Sequence, residues 1–139
     1  MIFPAIDLQH GRSVRLYKGD FAKETIINPD PVDQASQYEV AGVGALHLVD
    51  LDGAKAGKPV NVDIVKRVRA AFTGVLEIGG GIRDKAAVDL YLEMGVNRVI
   101  LGSVALKNPE LTKQVIAEYG PERIVIGVDG KNGKVAAEG

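Results

Sequence analysis

Two aspartates in this 139-residue sequence have similar neighbours, which suggests related chemistry. Asp7 and Asp129 each follow a short apolar run, and each is followed four residues later by a glycine and then by a basic residue. Side chains at the carboxyl ends of parallel strands meet at one rim, so the two carboxyl groups would face one small substrate from opposite sides. The pattern predicts a general base and a general acid, with loop capping as the alternative for each aspartate.

A second signal is a pair of glycine-rich segments that follow two further apolar runs. Residues 78–84 read Ile-Gly-Gly-Gly-Ile-Arg-Asp, and residues 101–103 read Leu-Gly-Ser. Glycine lets the backbone approach an anion closely, and amides at the start of a helix donate hydrogen bonds to it. The predicted phosphate ligands are Gly80, Gly81, Gly102 and Ser103. The alternative is tight turns alone; the nucleotide fingerprints GxGxxG and GxxxxGK[ST] are absent.

Two arginines are candidates for charged contacts to a phosphorylated substrate. Arg83 ends the first glycine-rich segment, and Arg15 lies in the long connection after the first apolar run. A guanidinium group binds phosphate oxygens through charge-assisted hydrogen bonds. The alternative for each arginine is a solvated surface position.

Other polar residues give weaker signals. Two isolated histidines have no metal-ligand spacing, so no metal site is predicted. His47 lies within an apolar run and is expected to be a satisfied core or near-core residue, while His10 is expected in an exposed loop. Asp50 and Asp52 follow the same run as His47, where loop capping is at least as plausible as a position facing a substrate.

The apolar runs alternate with amphipathic stretches, which predicts a regular order of strands and helices. The runs are nearly continuous in Val, Ile and Leu, as is typical of strands buried on both faces of a parallel sheet. The predicted strands are residues 2–6, 45–51, 75–78, 98–101 and 124–128. The predicted helices are residues 31–41, 62–71, 85–94 and 110–119, with Asp84 as the N-cap of the third. The order βαβαβαβαβ indicates an α/β fold, with a loop and a small hairpin in residues 11–29.

The similarity between the first and fifth strand ends indicates the size of a complete fold. Four βα units separate the two aspartates, and doubling that length gives roughly 245 residues and eight strands, as in a (β/α)₈ TIM barrel. Residues 1–139 are predicted to be one partial barrel domain: the N-terminal half, the fifth strand and a following hairpin. Because an incomplete sheet leaves an open edge, we expect self-association or a requirement for a C-terminal half.

Composition narrows the choice of partners. The formal net charge is −1, cysteine is absent, and aromatic residues make up 5% of the sequence. A near-neutral chain with few aromatic side chains does not suit a nucleic-acid partner. No apolar stretch approaches the roughly 20 residues of a membrane-spanning helix, so no membrane partner is predicted. The lack of a signal-peptide pattern at the start predicts a cytoplasmic location.

Motifs along the whole sequence resemble one known enzyme family. They are residues 3–8 (Phe-Pro-Ala-Ile-Asp-Leu), 47–54 (His-Leu-Val-Asp-Leu-Asp-Gly-Ala), 79–83, 102–103 and 127–135. In this order they resemble the isomerases of histidine biosynthesis that act on phosphoribosylformimino aminoimidazole carboxamide ribotide (ProFAR). The resemblance implies a TIM barrel that performs an Amadori rearrangement of an aminoaldose to an aminoketose, without metal or cofactor.

The resemblance also implies roles for individual residues. The family residue that matches Asp7 is the proton acceptor, the one that matches Asp129 is the proton donor, and the glycine-rich segments match one phosphate site. A second phosphate site belongs to the seventh and eighth units of the family, outside this sequence. Two other hypotheses stay open: a phosphate-binding half-barrel without catalytic activity, and a dual isomerase that also accepts the analogous anthranilate sugar of tryptophan biosynthesis.

Overall fold

A computed structural model gives the architecture, and it describes residues 3–127 together with the pieces 130–131 and 134–135. The strands are β1 (Ala5–Gln9), β2 (Arg12–Tyr17), β3 (Asp20–Asn28), β4 (Ala45–Asp50), β5 (Val75–Gly79), β6 (Arg98–Leu101), β7 (Ile124–Ile126), β8 (Gly130–Lys131) and β9 (Lys134–Val135). The helices are α1 (Pro31–Val40), α2 (Leu51–Ala56), α3 (Val62–Ala71), α4 (Lys85–Glu93), α5 (Val104–Lys107) and α6 (Pro109–Tyr119).

Seven of the strands form one sheet in the order β3-β2-β1-β4-β5-β6-β7. Within it β1, β4, β5, β6 and β7 are parallel, and helices lie in the connections between them. The hairpin β2–β3 is antiparallel and extends the sheet beyond β1, while β8 and β9 pair separately. Five parallel strands that alternate with helices confirm the predicted architecture of a partial (β/α)₈ barrel.

The hydrophobic core lies between the sheet and the helices. Alternate residues of each parallel strand point toward the helices, as the two-residue period of a strand requires. Ile6, Leu48, Ile78 and Leu101 are examples with no exposed surface. The intervening residues form the opposite surface, which we call the inner face because it lines the interior of a closed barrel. The inner face includes Ala5, Asp7, Ala45, His47, Val49, Val75, Glu77, Gly79, Arg98 and Ile100.

Short polar side chains fix the starts of three of the four longer helices. Asp30, Asp84 and Asn108 precede α1, α4 and α6, and each accepts a hydrogen bond from a backbone amide of the first turn. These side chains satisfy amides that have no partner inside the helix. The cap at Asp84 was predicted from the sequence and is confirmed. The short helices α2 and α5 were not predicted, because six and four residues are too few for a helical period to be visible.

The first strand lies later in the chain than the sequence predicted. β1 runs from Ala5 to Gln9 instead of residues 2–6, because pairing with β4 and with the hairpin continues beyond the apolar run. Asp7 therefore lies in the middle of β1 and not at its last position. It is opposite Val49, close to the carboxyl end of β4.

The second parallel strand is one residue shorter than predicted. β4 ends at Asp50, and Leu51 already belongs to α2. The reason is that the Asp50 side chain accepts a hydrogen bond from the Gly53 amide and so starts the helix. The hairpin expected in residues 11–29 is confirmed, and its strands belong to the main sheet.

Candidate active site at the carboxyl ends of the parallel strands

Asp7 lies on the inner face of β1, the strand that pairs with β2 on one side and with β4 on the other. Its side chain is half-buried, and this burial raises the pKa of the Asp7 carboxyl above its ordinary value. Positive charge on two nearby basic side chains, His47 and Arg15, acts in the opposite direction and lowers that pKa in part. Burial disfavours a charged carboxylate and neighbouring positive charge favours it. A carboxylate in this environment binds a proton more strongly than a free aspartate does, which suits a general base.

A cavity of about 210 Å³ opens beside Asp7. Residues of β1, the β2–β3 hairpin and α1 line it, and Arg15 and Gln34 contribute polar side chains. The structure thus places Arg15 next to Asp7 and not next to the glycine-rich segments. Arg15 is exposed on β2, so its guanidinium group is accessible to a ligand in this cavity.

The two glycine-rich segments come together at the ends of β5 and β6. Gly80, Gly81, Gly102 and Ser103 line one cavity of about 50 Å³, and Arg83 lies at the same cavity. By the same measure one water needs roughly 10–15 Å³, so the space suits a small anionic group more than a whole substrate. The sequence prediction that these residues lie together is confirmed.

The glycines in this cavity are not equivalent. Gly80 and Gly81 have φ values of 105° and 78°, in the left-handed region. A Cβ atom on Gly80 would collide with the carbonyl oxygen of Asp50, and one on Gly81 would lie 2.6 Å from that of Gly53. Turn geometry therefore accounts for both of these glycines without a ligand. At Gly102, in contrast, a Cβ would meet nothing within 4 Å and φ is ordinary, so the backbone does not require glycine there.

Polar groups of the side chains surround the same cavity. Ser103 is buried at the start of α5, and its hydroxyl makes no capping hydrogen bond. Arg83 extends across to α2, where its Nη2 lies 3.5 Å from the carbonyl oxygen of Ala54. A hydroxyl that is not used as a cap and a guanidinium group at the rim are suitable partners for phosphate oxygens.

The Asp7 cavity and the glycine-rich cavity each border the inner face, the first through Asp7 and the second through Ile100. Asp7 is on β1, Gly80 and Gly81 follow β5, and Gly102 follows β6, so two or three strand spacings separate Asp7 from the glycines. Neighbouring strands are about 4.8 Å apart, so the two cavities are separated by roughly 10–15 Å. That spacing allows one extended ligand to reach both.

The second predicted catalytic residue, Asp129, lies outside the described residues. The described chain reaches Gly127, whose amide donates a 2.8 Å hydrogen bond to the carbonyl oxygen of Leu101. β7 therefore continues the parallel sheet up to that point, and the role of Asp129 stays a prediction from the sequence.

Asp50 is a buried cap beneath the site and does not face a substrate. Its carboxylate is fully buried and accepts hydrogen bonds of 2.8–2.9 Å from the amides of Gly53, Val60 and Asn61 and from the Asn61 side chain. These bonds shape the chain from α2 to the start of α3. Because the Asp50 carbonyl also packs against Gly80, the same residue supports the first glycine-rich segment.

Asp52 connects this region to the hairpin. One carboxylate oxygen accepts hydrogen bonds from the backbone amide of His10, at 2.7 Å, and from the side chain of Asn61, at 2.9 Å. His10 has a positive φ of 54° in the turn between β1 and β2, and its side chain is exposed as expected. The contact holds the turn that leads into the strand carrying Arg15.

His47 lies at the edge of the core and has a hydrogen-bonding partner, which agrees with the near-core position expected from the sequence. It is half-buried on the inner face, and its Nδ1 lies 2.9 Å from a carboxylate oxygen of Glu77. The position of His47 on the inner face could have been predicted from the sequence. Alternate residues of a strand share one face, so residues 45, 47 and 49 lie on the face of β4 that does not pack against the helices. Glu77 and Arg98, which lie in the same row, were not singled out from the sequence.

Two kinds of feature are absent from the described residues, a metal-binding cluster and a membrane-spanning helix. Within residues 3–127 and the two short pieces, no group of three or more His, Asp or Glu side chains is arranged to hold a metal ion. In the same part of the chain, no helix has the length and apolar character needed to cross a membrane.

Parallel strands, intervening helices and a cleft at the carboxyl ends of the strands define the chain as part of a (β/α)₈ barrel, with its candidate site where such barrels have theirs. The sequence profile of the family described as "Histidine biosynthesis protein" matches residues 1–139. The chain belongs to this family.

Curated relatives place the chain more closely within the family. It is 59% identical over 139 residues to a protein of Lactiplantibacillus plantarum and 58% identical over 139 residues to one of Leuconostoc mesenteroides. A protein of Listeria welshimeri is 50% identical over 138 residues. All three are named 1-(5-phosphoribosyl)-5-((5-phosphoribosylamino)methylideneamino)imidazole-4-carboxamide isomerase, which is ProFAR isomerase. The matches cover 99–100% of this chain and 57–58% of the relatives, so the chain spans a little over half their length.

The burial of Asp7 predicts how the stability of the fold depends on pH. Burial raises the pKa of Asp7 above 3.8, so the folded chain holds the proton of this carboxyl group more tightly than the unfolded chain does. The contribution of Asp7 to the stability of the fold is therefore full below pH 3.8 and is lost as the pH rises through the raised pKa. An Asp7→Asn variant cannot ionise at this position, so we expect it to be more stable than the parent chain at pH 7. The difference in the free energy of unfolding should shrink toward pH 4. Urea titrations at several pH values measure the free energy of unfolding of both chains. A difference that does not depend on pH would contradict the prediction.

Proposed function

We propose that this chain supplies the base, the acid and one phosphate site of a cytoplasmic ProFAR isomerase, an aldose–ketose isomerase that needs no metal or cofactor. Asp7 is the proposed base and Asp129 the proposed acid. The observation that carries the proposal is the pair of cavities that border the inner face. One contains a carboxyl group with a raised pKa and the other combines Gly102, Ser103 and Arg83.

The chemistry of an Amadori rearrangement matches these groups. Opening of the sugar ring requires an acid near the ring oxygen, and the carbon next to the former aldehyde must then lose a proton to a base. The intermediate is a positively charged Schiff base, which neighbouring carboxylates stabilise. A substrate phosphate at the glycine-rich cavity would place the sugar in the direction of Asp7, about two to three strand spacings away. Arg15, next to Asp7, is proposed to contact the substrate at that end.

The direct test is an assay for conversion of ProFAR to the aminoketose. Because the chain spans a little over half the length of its relatives, the assay is made with this chain alone and with this chain mixed with the C-terminal remainder of the Lactiplantibacillus plantarum relative. We refer to the mixture as the complemented barrel. Turnover by the complemented barrel supports the proposal, and its absence from a folded, associated complex contradicts it. The same preparation, given the anthranilate sugar, distinguishes a single isomerase from a dual one.

Gly102→Val tests the phosphate site without disturbing the fold. The Cβ of a valine at this position would meet nothing within 4 Å and φ is not strained, and the side chain would occupy the space open to a ligand. Hydrogen bonds to a charged group contribute about 1.5–3 kcal/mol, so we expect KM of the complemented barrel to rise by roughly 10- to 100-fold with a smaller effect on kcat. Steady-state kinetics measure both constants.

Gly44→Val is the matched control for that experiment. Gly44 also has an ordinary φ and open space around its would-be Cβ, but it precedes β4 at the opposite end of the strands. Its replacement should leave KM unchanged. If both variants raise KM equally, or neither does, Gly102 belongs to a turn and not to a phosphate site.

A phosphate-binding half-barrel is the second candidate, and the open sheet favours it. β7 is the last strand of the sheet, and Ile126 at its end is 43% exposed. Such an edge pairs readily with another chain. We expect this chain alone to form dimers or larger assemblies with negligible turnover. Analytical ultracentrifugation tests this, since a compact, stable monomer would rule it out.

A further inference from the structure

Three charged or titratable side chains form a row across the inner face. His47 on β4, Glu77 on β5 and Arg98 on β6 are lateral neighbours, because the register pairs the first with the second and the second with the third. We call these three residues the inner row. On β1 the row continues at Ala5, which is two residues before Asp7 and points to the same face. The inner row therefore lies next to the proposed base, one layer of side chains closer to the amino ends of the parallel strands.

Glu77 contacts both of its neighbours. One carboxylate oxygen lies 2.9 Å from Nδ1 of His47, and the other lies 3.5 Å from Nη1 of Arg98. The Glu77 side chain is only 14% exposed, so these contacts are shielded from bulk water. A carboxylate has an acceptor oxygen for each of two donors, and it fixes the orientation of an imidazole that donates from Nδ1.

The second ring nitrogen of His47 has no such partner. Among the hydrogen bonds of the described residues, none involves Nε2 of His47. Ala5, opposite His47 on β1, is too small to cover the ring, and the next side chain along that strand on the inner face is Asp7. The charge of His47 reaches this carboxyl group, since it lowers the pKa of Asp7 against the effect of burial. Arg15 on β2 is the other cation that acts on the same group.

We propose that Glu77 is a positioning residue for the base. Held by Arg98, Glu77 orients His47 so that Nε2 faces the space in front of Asp7, where the ring in its protonated form supports the ionised carboxylate. The inference rests on the proposed function, because it assigns a partner to the proposed base. Glutamine cannot replace Glu77 in this role, since its single carbonyl oxygen serves only one of the two donors.

The first test is the tautomer of His47, read from the ¹⁵N chemical shifts of its ring in this chain without substrate. At a pH where the ring is neutral, we expect the proton on Nδ1, facing Glu77, and none on Nε2. In Glu77→Gln the population should shift toward the Nε2–H form, because the carboxylate that favours Nδ1–H is gone. A wild-type ring with its proton on Nε2 overturns the proposal, and this measurement decides even if the variant does not fold.

The second test asks whether the effect of His47 on Asp7 depends on the contact between His47 and Glu77. ¹³C spectra of the carboxyl groups give the pH midpoint at which Asp7 ionises. We expect His47→Gln to move this midpoint upward in the wild-type background, and to move it clearly less when Glu77→Gln is already present. Equal shifts in both backgrounds would mean that Glu77 does not position the ring.

Asp63→Asn serves as the control for both measurements. Asp63 is an exposed carboxylate in the first turn of α3, remote from the inner face, so its removal should change neither the tautomer nor the Asp7 midpoint. Because no substrate is present in these experiments, their outcome is separate from that of the activity assay. An inactive barrel with the predicted tautomer would reject the proposed function and leave the positioning contact intact.

Discussion

Asp7→Asn is expected to lower kcat of the complemented barrel by about 10³-fold or more while substrate binding stays largely intact, because asparagine has the shape of aspartate but cannot accept a proton. Asp7 is half-buried, its pKa is raised, and it lies beside a cavity that also contains Arg15. The substitution removes the base alone. Steady-state kinetics give kcat, and calorimetric titration with substrate gives the dissociation constant.

The control for this substitution is again the surface carboxylate Asp63, whose change to asparagine should leave kcat within a factor of two or so. The increased stability expected for Asp7→Asn at pH 7 provides an internal check that the variant is folded. Full turnover by Asp7→Asn would rule out its assignment as the base. Loss of binding together with turnover would mean that Asp7 mainly holds the substrate.

Asp50→Ala is expected to lower the free energy of unfolding by about 3 kcal/mol. The carboxylate accepts four hydrogen bonds in a fully buried position, so its removal leaves several donors without partners. Urea unfolding measures the loss. Asp50→Asn keeps one acceptor oxygen and should be destabilised less than the alanine variant.

Asp63→Ala supplies the comparison for Asp50, because it removes an aspartate from the same region of the chain at an exposed position. Its effect should stay below about 1 kcal/mol. If the two alanine variants are equally stable, the hydrogen bonds of Asp50 contribute little and the cap is not what holds the glycine-rich segment in place.

Patterns that repeat within a short stretch of chain were predictable from the sequence. Buried parallel strands leave nearly continuous apolar runs, and Asp84 stands immediately before an amphipathic helix, so the order of elements and that cap could be predicted. The convergence of the segments around Gly80 and Gly102 followed from their positions at the ends of neighbouring parallel strands.

Contacts between distant residues were not predictable in this way. His47 and Glu77 are 30 residues apart, and their hydrogen bond depends on the exact pairing of β4 with β5, which no local pattern encodes. The cap formed by Asp50 reaches Asn61, eleven residues away, through a short helix with no visible period. Similarly, the late start of β1 reflects strand pairing and not the apolar run alone.

The unequal composition of the two faces of the sheet has a consequence for synthesis of the protein. The helical side of the sheet is already packed by residues that precede position 127, and the centre of the other side carries the charged groups of His47, Glu77 and Arg98. A polypeptide synthesised as far as Ile126 can therefore bury its apolar strands as soon as these residues have left the ribosome. The other side of the sheet is then a partly ionic surface, so sticking through this face would require the removal of water from charged groups, whereas pairing at the edge of β7 would not.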